Sequence, residues 1–167
     1  MVVLALPSKI KFDLRDSHLG DWDFLRELYK EALYDSIVEQ FGEWEDSRLD
    51  EFFTHAIKRG ADFTIITSGG KDIGAMEIVD DEEFIQVEEI LLLPAYQNKG
   101  IGSKIIKDVI AVAERKEKPV TLYVLKESRA KDFYEKHGFA YKSNTPTHYF
   151  MIWDPRAHWL WLSKWCA

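Results

Sequence analysis

The segment Gln97-Asn98-Lys99-Gly100-Ile101-Gly102 stands between a stretch that reads as a strand and one that reads as a helix. A helix start carries backbone N–H groups with no partner inside the helix, together with a partial positive charge, so it suits an anion. Glycines at 100 and 102 remove side chains that would keep a phosphate away from those amides. Lys99 adds a charge of the right sign. On these residues alone, a tight strand-to-helix turn that binds nothing would use the same glycines. Two other phosphate loops are excluded. The pattern G-x-x-x-x-G-K-[ST] is absent, and a dinucleotide fingerprint needs a third glycine beyond Gly100 and Gly102.

Other groups could do chemistry as well. Tyr134, between Phe133 and Phe139, is either a core tyrosine or a phenol able to give up a proton. Glu88 and Glu89 are neighbours in a strand pattern. Adjacent strand residues face opposite ways, so only one of the two carboxylates looks to a given side. Gln86 shares the Glu88 face, where it could position a water. The five histidines, His18, His55, His137, His148 and His158, show no paired ligand spacing, and no metal is expected. Cys166 has no base partner nearby in sequence, so no covalent nucleophile is evident.

The elements that must carry these groups follow from periodicity. Ile10, Phe12 and Leu14 alternate with charged residues as a short strand. Apolar residues from Phe24 to Leu33 recur at helical spacing, predicting a helix over Asp21 to Tyr34. Ser47 caps a second helix that ends at Gly60. An acidic, aromatic connector, Glu39 to Asp46, lies between the two. Strands are predicted over Phe63 to Thr67, Ile73 to Val79 and Phe84 to Leu93, the first two joined by a glycine hairpin turn. A long helix follows the loop at 97–102 and stops before Pro119. Val120 to Leu125 reads as a strand, Arg129 to His137 as a helix stopped by Gly138, and His148 to Trp153 as a last strand. The order β-α-α-β-β-β-α-β-α-β predicts an α/β (α+β) domain, a mixed, mostly antiparallel sheet flanked by helices.

Bulk properties set the frame. The 167 residues suit one domain, and 46% hydrophobic with 14% aromatic content suffices for a core. No apolar run approaches the roughly 20 residues of a membrane span. Met1 to Pro7 is apolar but short and without a basic leader, and reads as an ordinary N-terminus. One cysteine, Cys166, suits a reducing cytoplasm. The net charge of −7 makes nucleic acid a poor partner and would draw in a cationic small molecule or a basic peptide. The tail from His158 to Trp165 is unusually aromatic, and an exposed patch of that kind points to an interface with a second subunit.

Two segments resemble the GNAT N-acetyltransferases. Leu92-Leu93-Pro94-Ala95-Tyr96-Gln97-Asn98-Lys99-Gly100-Ile101-Gly102 is similar to that family's pyrophosphate-binding pattern, V-x-P-x-Y-[RQ]-x-x-G-x-[GA]. Phe133-Tyr134-Glu135-Lys136-His137-Gly138-Phe139 resembles its second signature, [LF]-Y-E-K-x-G-F, at the expected separation. The resemblance implies a single domain over residues 1–167, with a sheet splayed at the cofactor strand, and acetyl-CoA as cosubstrate. It implies that the backbone of Ile90, Leu91 and Leu92 meets the pantetheine arm. It also places Gln97, Asn98, Lys99, Gly100, Ile101, Gly102 and Ser103 at the pyrophosphate, and makes Tyr134 the general acid. The family often has Asn seven residues before that tyrosine; here the position is Glu127.

The chemistry so implied is transfer of acetyl from acetyl-CoA to an amine in a ternary complex. An alkyl ammonium has a pKa of about 10.4 and must lose a proton before attack, while the departing thiolate, with pKa about 8.5, must gain one. Glu88-Glu89 resembles the Glu-Asp pair of spermidine/spermine N-acetyltransferases, whose first acid lies by the acceptor, and this singles out Glu88 as base. In the family the first two helices border the acceptor, which brings in Tyr34, Trp44, Glu43, Glu45 and Asp46. Two rivals share these residues: an acetyltransferase acting on protein N-termini or lysines, and a module that binds acetyl-CoA without turnover.

Overall fold

The computed structural model describes residues 10–157. The apolar start and the aromatic tail from His158 lie outside these residues. Seven strands form one sheet in the order β1-β2-β3-β4-β5-β7-β6. They are β1 Asp13–Asp16, β2 Thr64–Ser68, β3 Lys71–Asp80, β4 Ile85–Leu92, β5 Val120–Leu125, β6 Ala140–Asn144 and β7 His148–Trp153. The helices are α1 Trp22–Phe41, α2 Asp46–Lys58, α3 Ile101–Lys116 and α4 Ala130–Lys136. The sheet is mostly antiparallel, and β4 pairs with β5 in parallel.

The chain gathers into two compact units, one holding residues up to Glu77 with Glu89–Lys104, the other Ile78–Glu88 with the chain from Ile105. In the first unit, α1 and α2 bury Leu25, Leu28, Tyr29, Leu49, Phe53 and Ala56 against Phe63, Ile65, Ala75 and Leu91. The helical spacing of Leu25, Leu28, Tyr29 and Ala32 gives α1 this one apolar face. Aromatic edges fill the interior, with Trp22 meeting Phe53 at 5.6 Å and Tyr29 meeting Phe53 at 5.1 Å. In the second unit the buried residues include Ile105, Ile106, Val109 and Ala113 of α3, Val120, Leu122 and Val124 of β5, and Met151 and Trp153 of β7.

The structure corrects several expected elements. The first strand begins at Asp13, not Ile10. The first helix runs seven residues past Tyr34 and stops where Gly42, at φ 88°, turns left-handed and donates its N–H to the Val38 carbonyl. The second starts at Asp46 with Glu45 as its N-cap, so Ser47 lies inside it. A seventh strand, β6, was not expected; all five of its residues are exposed, so it has no apolar alternation to betray it.

Two features hold the first unit's strands in place. Arg15 on β1 donates to both oxygens of Asp21 at 2.8 Å and to Asp72 on β3 at 2.9 Å, while the Asp21 carboxylate also accepts the His18 N–H at 2.8 Å. Gly74 of β3 lies so close to β4 that a Cβ there would stand 2.4 Å from the Leu91 carbonyl oxygen and 2.7 Å from the Leu92 side chain. Only glycine fits that approach.

Gly74→Ala should therefore displace β4, costing about 1–3 kcal/mol, a fall in Tm of roughly 3–10 °C by calorimetry; an unchanged Tm would mean that β4 shifts without cost. A second expectation concerns acid. The Arg15 guanidinium holds the buried Asp21 carboxyl down at about 2, against an ordinary 3.8. A carboxyl whose pKa is lowered by folding contributes its stability above 3.8 and loses it as pH falls from there through about 2. Denaturant titrations at pH 5 and pH 2 should show a smaller acid-induced loss in Asp21→Asn than in the wild type.

Candidate functional site

Within the first unit, β4 ends at Leu92, a short helical turn covers Pro94–Tyr96, and the chain crosses the loop into α3. Backbone φ is positive at Asn98 (57°) and Gly100 (84°), and among the described residues Lys99 between them is not in that region. Positive φ at two positions flanking Lys99 is a backbone in which main-chain N–H groups can converge on an anion. The loop leads directly into the first turn of α3, whose leading amides have no partner inside the helix. Ile101, fully buried, pins that turn, and the Lys104 N–H closes it on the Gly100 carbonyl at 3.0 Å. The residues present thus fit a diphosphate held by main-chain N–H groups. Lys99 is exposed, its ammonium 5.6 Å from the Tyr96 ring centre.

Gln97 has a further part that its sequence position does not reveal. Its side-chain amide donates to the Leu92 carbonyl at 2.9 Å, bracing the loop against the end of β4. On the other side the Leu93 N–H donates to the Ile73 carbonyl at 2.9 Å. Ile90, Leu91 and Leu92 therefore sit on backbone fixed from two directions. The loop and these three residues belong to the first unit, and Glu88 and Tyr134 to the second.

In the second unit, the parallel ladder pairs Ile85 with Val120, Gln86 with Thr121 and Val87 with Leu122, and ends there. Ile85 and Val87 are buried, while Gln86 and Glu88 alternate to the opposite face, Glu88 exposed. Gln86 accepts a hydrogen bond from the Thr121 hydroxyl. Tyr134 is 8% exposed, its ring 5.5 Å from Phe139 and 5.1 Å from Phe133. It stands in the second half of α4, whose first N–H, that of Ala130, donates to Ser128 Oγ. Glu127 is exposed.

Most of the residues expected around the acceptor have partners within the first unit. Tyr34 stacks on Trp44 at 5.9 Å, and the Trp44 indole donates to Asp46 at 2.8 Å. Those bonds, from Trp44 first and Lys30 next, hold the Asp46 carboxyl below its usual range. Glu45 pairs with Arg48 at 2.8 Å. A carboxylate outside the expected set, Glu77, is 2% exposed and paired with Arg59 through two bonds of 2.6 Å. Among the described residues, no group of three or more histidines, cysteines or acids gathers to hold a metal.

Comparison with known proteins bears on this geometry. The family model described as acetyltransferase (GNAT) domain matches residues 59–141, about half of the chain and both signature segments. No curated protein matches the chain in sequence. Among solved structures, a PaiA N-acetyltransferase from Thermoplasma acidophilum in complex with coenzyme A aligns with a TM-score of 0.68 at 17% identity, over 87% of this chain and 99% of its own. A Thermus thermophilus acetyltransferase aligns at 0.66 with 17% identity, over 87% of this chain and 97% of its own. A Vibrio cholerae spermidine N-acetyltransferase in complex with coenzyme A and spermine aligns at 0.58 with 18% identity, over 84% and 93%. At such identities the structures speak for the fold, and the family model speaks for the chemistry. The chain belongs to the GNAT acetyltransferases, the acetyl-CoA-dependent N-acetyltransferases that its two signature segments resemble.

Proposed function

We propose that this acetyltransferase acts on a cationic small-molecule primary amine, by direct attack in a ternary complex. What supports the cosubstrate half of the reading is the loop at Asn98 to Gly100, with positive φ at both ends, leading directly into the first turn of α3; what supports the acceptor half is the exposed carboxylate of Glu88. The loop's amides and those of Ile101, Gly102 and Ser103 would take the diphosphate, Gln97 keeping the loop on β4. Acetyl-CoA supplies the activated thioester.

The side chains then divide the proton work. Glu88, exposed on β4, takes a proton from the incoming ammonium, directly or through a water held by Gln86. The Tyr134 phenol gives its proton to the departing sulfur. A phenol whose ring is clamped by Phe133 and Phe139 loses little rotamer freedom in doing so. A net charge of −7 favours approach of a cation. The spermine complex of the Vibrio cholerae relative is consistent with an amine of this kind.

Two variants separate binding from chemistry. Gly102→Asp sets a carboxylate where phosphate would sit, yet an acid in the first turn of a helix is favourable to folding. Acetyl-CoA affinity by calorimetry should fall at least about tenfold while Tm holds or rises. Tyr134→Phe removes only a hydroxyl, so turnover in a thiol-release assay should fall by roughly 10² to 10⁴ with acetyl-CoA affinity unchanged. Near-normal turnover would remove Tyr134 from the reaction.

A further inference from the structure

The β5–β7–β6 part of the second unit has two unlike faces, read from its ladder. Leu122 and Val120 oppose Met151 and Trp153 on the buried face. The other face carries Thr121 opposite Ile152, Tyr123 opposite Phe150 and Leu125 opposite His148. Tyr123 is 51% exposed there, and its ring lies 4.9 Å from that of Phe150, tilted by 35°. Phe150 and Ile152 are half-buried. An aromatic shelf is thus presented to solvent by two central strands of the unit.

Its position gives it meaning. Thr121 and Gln86 are opposite each other in the parallel ladder and hydrogen-bonded, so both side chains point to this same face. One step of two residues along each strand brings Glu88 and Tyr123, again on that face and just past the last ladder pair. An exposed carboxylate on β4 and an exposed aromatic, Tyr123, on β5 therefore follow the same hydrogen-bonded pair, with half-buried Phe150 opposite Tyr123 on β7. The positions of β5 and β7 on this face, Thr121, Tyr123, Leu125, His148, Phe150 and Ile152, include no acid. A cationic head meeting Glu88 finds its counter-charge, whereas those six positions of β5 and β7 offer none to a second cation.

We infer that the acceptor is a primary amine with an apolar arm, alkyl or aryl, whose ammonium meets Glu88 and whose arm lies on Tyr123 and Phe150. This rests on the reading of Glu88 as the acceptor-side base. A ring face attracts a second ammonium only weakly at an exposed site, and that ammonium must shed water to reach it. An alkyl arm gains from every methylene it covers.

Hexylamine and cadaverine test this directly, because they match in length and differ in a methyl against an ammonium at the far end. The full chain should show a kcat/KM for hexylamine about tenfold above that for cadaverine. Tyr123→Ser/Phe150→Ser should bring the ratio near unity, chiefly by raising KM for hexylamine, and Tyr123→Phe should preserve it. A wild-type ratio at or below unity overturns the inference, and that measurement stands even where the double variant fails to fold. A ratio unchanged in a folded double variant overturns it too, as does a change of solution mass in place of a change of preference, which would make the shelf a contact between copies. Thiol release with no amine at all would count against the proposed function itself, whereas release with both amines and no preference counts against the shelf alone.

Discussion

One parallel strand pair governs this architecture. β4 and β5 run the same way, so the chain cannot join them by a tight turn and must cross over through a helix. That crossover is α3, reached from the carboxyl end of β4 through the short turn Pro94–Tyr96 and the glycine loop. The parallel ladder lasts three residue pairs, Ile85 to Val87 against Val120 to Leu122. Beyond it β4 runs on through Glu88 to Leu92, carrying first the exposed carboxylate and then the backbone that leads into the loop. A sheet built only of hairpins would offer neither a helix start after a strand end nor strand residues past the end of a ladder.

Freedom at the end of β4 has to be limited elsewhere. Gly74 lets β3 come against the Leu91 carbonyl, Leu93 bonds to Ile73, and Gln97 reaches back to Leu92. Each of these is a contact between backbone and something small or precisely lengthed. They fix main chain, which is what a site made of N–H groups requires. The buried pair of Glu77 and Arg59 belongs to the same unit and shows a different kind of commitment. A carboxylate 2% exposed is tolerable only because both its oxygens are matched by one guanidinium.

The sequence was most legible where chemistry constrains residue type locally. The glycines of the loop, the proline ahead of it and the Phe-Tyr-Glu-Lys-His-Gly-Phe segment can be read without neighbours. Burial-driven periodicity marks α1 up to Leu33 and fades beyond Tyr34, where the helix continues without a buried residue and ends on Gly42. β6 escaped notice because an edge strand with five exposed residues carries no alternation. Gly74 and the second task of Gln97 depend on partners 17 and 5 positions away respectively, Leu91 and Leu92, which no local pattern announces.

The same edge strand has a bearing on how the protein behaves when crowded. Among the described residues β6 is the last strand of the sheet, and an edge strand's outer row of backbone groups is of the kind that invites another chain to add itself. The register slips between Tyr141 and Ser143, leaving Lys142 as an extra residue opposite β7. A bulge twists the strand out of line and a lysine sets a charge at the middle of the five-residue edge, so an incoming strand meets a kink and an ammonium where it needs a straight, neutral template. Among the described residues, that one inserted position is where the edge departs from the straight, neutral template another strand would need.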